Sequence, residues 1–201
     1  VYPGMTSAVM DYQNIMGFLV LLFCVVIAAP IFSADYQSGA DDILRCTQHG
    51  RVSLGIAKMF AALFISGAAF VLCAAVHILV ADSLFGWECT RTSIQMMYSI
   101  VTLADMNIGG LQFLFAVAGL LSVLASVSFT LFLSARCRTT VSSLASSLVF
   151  CIAPVVISMT APGALGAWLC SILPARGTSI QASVLYAITD FRFLNLAGMS
   201  V

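Results

Sequence analysis

The residues best placed to do chemistry are the ionisable ones between positions 35 and 58. Asp35, Asp41, Asp42, Arg45, Arg51 and Lys58 are six of the sixteen Asp, Glu, Lys and Arg residues of the chain. Asp41 and Asp42 could by type form a general acid–base pair. Adjacent residues of a helix do not face each other, however, so a solvated or docking face is the stronger reading. Tyr36, Ala40, Ile43 and Leu44 fall at i, i+4, i+7 and i+8, which predicts the apolar stripe of a short amphipathic helix through this segment.

Elsewhere the chemistry is sparse. His77 lies inside an apolar run. An ionisable group there could contact a proton or a substrate; a neutral histidine near the end of a helix is the simpler reading. Carboxylates are missing from the interiors of the apolar runs, which counts against proton-coupled transport. None of the seven cysteines forms a CxxC pair, and a Cys89–Cys170 disulfide is the weaker reading of that pair. The sequence holds no GxxxxGK[ST], HExxH or GxSxG motif, so no catalytic residue, bound cofactor or metal site is expected on this chain.

Hydroxyls and small side chains recur instead. Ala118, Ser122, Ser126 and Thr130 are spaced by four, as are Ser143, Ser147 and Cys151. Residues of this size at this spacing let helices approach closely, and their hydroxyls can bond across the contact or line a pathway.

The elements that carry these residues follow from composition. The chain is 61% hydrophobic and 8% charged, against about 25% charged in a soluble domain. No Asp, Glu, Lys or Arg occurs in 12–34, 59–81, 106–135 or 139–175. Each gap can hold the roughly 20 apolar residues of a membrane span. The expected fold is therefore all-α: a polytopic membrane helix bundle with spans at about 15–32, 57–81, 108–133 and 141–160. Pro30 should kink or stop the first span and Pro154 should bend the fourth. Asn107 is a candidate N-cap of the third.

Five of the eight basic residues fall in 34–58 and 134–140. By the positive-inside rule these loops face the cytoplasm, and 82–107 and 161–201 face outward. Ile94, Met97, Val101 and Ala104 predict a surface helix over 92–104. Residues 163–173, closed by Pro162 and Pro174, are too short to span and read as a re-entrant hairpin. Zero net charge gives no sign of nucleic-acid binding. The start at Val1, with no charged leader, and the apolar end at Val201 read as a piece of a longer protein, treated as a single transmembrane domain over 1–201.

The run Phe32-Ser33-Ala34-Asp35-Tyr36-Gln37-Ser38-Gly39, followed by Leu44, Gly50-Arg51 and Ala57-Lys58, resembles the segment after the second span of type-2, exporter-like ABC transporter permeases. There an acidic residue is followed four positions later by glycine, then a leucine-rich stretch, a small residue–Arg pair and a Lys opening the next helix. Here the acid is Asp35 where Glu is commoner, and position 48 is Gln where many members carry Pro. The resemblance implies that the four spans are the second to fifth of six. It also implies that 34–56 is a cytoplasmic coupling segment and that 161–201 is the outer re-entrant region. Asp35, Tyr36, Gly39, Ile43, Leu44, Arg45, Arg51 and Lys58 would form the coupling interface. Ser122, Ser126, Thr130, Ser143 and Ser147 would serve helix packing or the substrate pathway. The implied partners are an ATP-binding cassette subunit, which holds ATP and Mg, a second permease copy or relative, and the lipid of a bacterial plasma membrane. A secondary transporter driven by ions or protons, and a membrane-embedded assembly protein without transport activity, are the alternatives.

Overall fold

The computed structural model describes residues 7–39, 50–93, 107–160, 169–170, 172–175, 195–196 and 199–200. The described residues are almost entirely helical. Helix α1 spans Ser7–Ala28, α2 Pro30–Ser38, α3 Gly50–Phe85, α4 Ile108–Arg136 and α5 Thr140–Thr160. A 3-10 turn covers Trp87–Arg91, and a two-rung antiparallel ladder pairs Asn195–Leu196 with Met199–Ser200. Four stretches are long and apolar enough to cross a membrane: Asn14–Ser38, Val52–Leu84, Ile108–Arg136 and Thr140–Ile157. The chain is a polytopic α-helical membrane protein.

The first span is two helices in line. Proline has no N–H to give the preceding turn, so the helix breaks at Ala29 and restarts with Pro30 as its first residue. It ends at Ser38, where Gly39 takes a left-handed conformation (φ 73°) and donates its N–H to the Tyr36 carbonyl. An uninterrupted helix carrying both Tyr36 and Ile43 is therefore ruled out. Of the predicted stripe, Tyr36 is on α2, and Ala40, Ile43 and Leu44 lie outside the described residues.

Helix α3 runs well past its predicted 57–81 at both ends. Its 36 residues measure about 54 Å, against a hydrocarbon core of about 30 Å. Charge marks where a helix leaves the hydrocarbon, not where its hydrogen bonding stops. Helices α4 and α5 match their predicted positions closely, and α5 continues through Pro154. Asn107 has the extended backbone of an N-cap but makes no side-chain cap bond. Of the predicted surface helix over 92–104, Ser93 pairs with Asn107 in a β-bridge and 94–104 lie outside the described residues.

Helix α4 is the centre of the bundle: 44% of its apolar window is buried, against 11% for α3. Its buried positions Ile108, Leu111, Phe115, Gly119, Ser122 and Ser126 step by three and four, one face of a helix. Its other inward row, Val123 and Val127, meets Leu21 and Val25 of α1 and Cys151 of α5 in one core cluster. Lipid is as apolar as these side chains, so close packing, not escape from water, holds the helices together. Packing is tightest where the Phe70 ring of α3 lies on Gly119; a Cβ there would sit 2.5 Å from the ring. Phe129 of α4 stacks on Phe150 of α5 at 4.0 Å between centroids.

Candidate functional site

The hydroxyl-bearing face of α4 leads to the break in the first span. The Ala29 carbonyl is fully buried and accepts three hydroxyls: Ser33 at 3.0 Å, Ser134 of α4 at 2.6 Å and Ser143 of α5 at 2.9 Å. The Ser134 oxygen in turn accepts the backbone N–H groups of Phe32 and Ser33, each at 3.1 Å. These N–H groups belong to the first turn of α2, where a helix has no upstream carbonyls of its own to bond. One donated and two accepted bonds are all that a serine hydroxyl can make. Ser33, Ser134 and Ser143 are each 0% exposed.

Three helix ends thus meet at one carbonyl, and the rest of α2 is tied down as well. Asp35 forms an ion pair with Lys58 of α3 at 2.5 Å, with both side chains about a third exposed. The Gln37 side-chain oxygen accepts the Thr140 hydroxyl at 2.8 Å and its N–H at 3.4 Å, capping the start of α5. Arg136 lies 5.5 Å over the Phe132 ring at this same end. Residues 35–39 and Lys58, from one basic segment, and 134–140, from the other, therefore share one end of the bundle.

The predicted site residues divide accordingly. Asp35 and Lys58 are brought together, Tyr36 lies in the last turn of α2, Gly39 caps that helix, and Arg51 lies in the first turn of α3. Ile43, Leu44 and Arg45 lie outside the described residues. Of the packing or pathway residues, Ser143 bonds across to α1, whereas Thr130 and Ser147 donate to carbonyls of their own helices, Ser126 and Ser143. The Ser126 hydroxyl is fully buried and has no partner among the described residues. The Ser122 hydroxyl donates to the Pro174 carbonyl in the predicted re-entrant region. Ser122 lies about 21 Å along α4 from Ile108. The free thiol of Cys170 is buried 3.4 Å from the Pro154 carbonyl of α5. That places its sulfur inside the bundle rather than in a disulfide.

The opposite end of the bundle holds a group that the charge gaps left out. Asp82 is in the last turn of α3, 8% exposed, and accepts a hydrogen bond from Gln112 of α4 at 3.2 Å. The span thus carries a buried carboxylate as well as the half-buried His77. Nearby, the Ile108 N–H donates to the Thr92 carbonyl at 3.0 Å. Ser33, Ser134 and Gln37 were missed in the sequence. Ser134 did carry a signal, since it is the next member of the four-residue series that reaches Thr130. Ser33 and Gln37 carry none, because their partners lie on other helices. Among the described residues no group of three metal-ligating side chains converges.

Comparison of the chain with protein-family models, with curated proteins and with solved structures gave no match.

Proposed function

We propose that this chain is a permease subunit of an ATP-driven exporter, a membrane pathway that takes its energy from a separate ATP-binding subunit. The observation that carries the proposal is the fastening of α2. A nine-residue helix at the basic end is bonded to α3 through Asp35–Lys58, to α4 through Ser134 and to α5 through Thr140. An element that receives a push from outside the bilayer has to be joined to the helices it moves. The order of acidic residue, glycine and basic residues along 35–58 supports the same reading. In this reading the basic end faces the cytoplasm of a bacterial cell, by the excess of Arg and Lys there. The chain pairs with a second copy or a relative, and ATP and Mg are bound on the partner subunit.

The test is co-purification of the chain with an ATP-binding subunit from native membranes, followed by transport in sealed vesicles. Transport that needs ATP and survives collapse of the proton gradient supports the reading. Transport without ATP rejects it. Ile43→Asp, which puts a charge on the expected contact, should weaken recovery of the ATP-binding subunit by about tenfold, a loss of about 1.4 kcal/mol.

One observation favours the ion- or proton-coupled alternative: Asp82 is buried against Gln112 at the other end of α3. Buried ionisable groups in membrane proteins often carry coupling ions. Asp82→Asn keeps the shape and removes the charge. If it abolishes transport while leaving ATP-driven turnover of the assembly intact, the alternative is the better description.

A further inference from the structure

The coordination of Ser134 is complete and unusually distributed. Its single proton goes to the Ala29 carbonyl at the end of α1, and its two lone pairs take the N–H groups of Phe32 and Ser33 at the start of α2. One side chain of α4 therefore bridges the two sides of the Pro30 break. Proline leaves a kinked helix with a soft joint, because a backbone hydrogen bond is missing there. Left alone, such a joint lets α2 swing relative to α1. Ser134 instead ties the first turn of α2 to the last turns of α4. Ser143 brings the first turn of α5 to the same carbonyl, and Gln37 bonds Thr140 a turn later. The cluster is dry, with Ala29, Ser33, Ser134 and Ser143 all 0% exposed, so water does not compete for these bonds.

We infer that Ser134 is a positioning residue that splints the Pro30 break and fastens α2 to the adjoining ends of α4 and α5, so that α2 moves with these helix ends and does not swing independently at the proline. A displacement of α2 then reaches α4 directly and is not absorbed at the proline. The mechanical part of this inference stands on the hydrogen bonds alone. Its consequence for transport rests on the exporter reading above.

The test uses the full chain in membranes, with encoded non-cysteine labels at two exposed positions, Ser38 at the end of α2 and Arg138 in the turn between α4 and α5. The distance distribution between the labels should be narrow in the parent protein and broaden in Ser134→Ala. Ser143→Ala removes one donor from the Ala29 carbonyl but leaves Ser134 saturated, and should stay narrow. Ser134→Cys, nearly isosteric with a weaker donor, gives an intermediate width and serves if the alanine variant does not fold. In the assembly with the ATP-binding subunit, Ser134→Ala should recover that subunit normally while transport falls about tenfold or more, in keeping with the loss of all three bonds of the hydroxyl. Equal widths in the parent and in the Ser134 variants overturn the fastening. A broadened distribution with undiminished transport overturns its role in transmission. If the parent protein recovers no ATP-binding subunit, the exporter reading fails, and the widths still decide the fastening.

Discussion

The two ends of this bundle solve the same problem in different ways. At the basic end, polar groups from three helices converge on the break at Ala29, and Asp35–Lys58 and Gln37–Thr140 close the ring around α2. At the opposite end the cross-helix polar ties among the described residues are few. Gln112 bonds Asp82, Ser93 pairs with Asn107, and the Thr92 carbonyl accepts the Ile108 N–H. Only the first joins two helices through side chains, and the other two hold together the residues on either side of 94–106, while at the basic end several side-chain contacts hold helices to one another. Within an apolar medium hydrogen bonds supply orientation that packing alone does not. The contrast makes the basic end the more densely fastened of the two among the described residues.

The comparison presupposes a stiff middle, and Gly119 is where that is most easily broken. Valine there would drive its side chain into the Phe70 ring, which already lies within 2.5 Å of a Cβ position. We expect Gly119→Val to destabilise the bundle by about 3 kcal/mol, the upper range for overpacking. Thermal unfolding in detergent, followed by loss of monodisperse protein, reads this out. An unchanged melting point would mean that the Phe70 ring gives way and the α3–α4 contact is loose, and the two ends could then not be treated as mechanically linked.

At the basic end, Ser134→Ala removes three bonds at once. Interhelical hydrogen bonds in membranes average about 0.6 kcal/mol each, so a loss of about 2 kcal/mol is expected. At the opposite end Gln112→Leu removes one bond and should cost about 1 kcal/mol. The same melt, run side by side, sharpens the contrast. A larger loss for Gln112→Leu than for Ser134→Ala would reverse it.

The smallest effect is expected for the ion pair. Asp35 and Lys58 are partly exposed, and such pairs contribute about 0–1 kcal/mol. Asp35→Asn and Lys58→Gln should each lower stability by less than about 1 kcal/mol, and the double substitution should cost no more than the worse single one. Strict additivity would show that the two side chains do not interact in the membrane, and α2 would lose its tie to α3.

Much of the bundle was legible in the sequence because lipid imposes simple rules. Long uncharged runs had to be helices, and all four candidate spans lie where the charge gaps put them. The ends were less legible. Lys58 and Asp82 were read as borders, yet both are inside α3, one paired with Asp35 and the other bonded to Gln112. A charge with a partner does not end a helix. Gly39 was read as part of a motif, whereas its backbone conformation makes it the stop of α2, and that divides the predicted stripe. The serine series was recognised as a packing face. Which hydroxyl would bridge the break and which would bond its own turn depends on how helices distant in sequence lie against each other, and spacing within one helix carries no such information. Thr130 and Ser147, by type as suitable as Ser134, turn back on their own helices.

The central claim is that a soluble ATP-binding subunit acts on the end of the bundle where α2 is fastened. Photocross-linking in intact cells tests it directly, with the reactive residue placed at Ser38 in one variant and at Trp87 in another. Both positions are exposed, and they lie at opposite ends. The account predicts an adduct from position 38 whose partner, identified by mass spectrometry, carries an ATP-binding P-loop, and no such adduct from position 87. An ATP-binding partner captured from position 87, or adducts from position 38 with lipid alone, would contradict it.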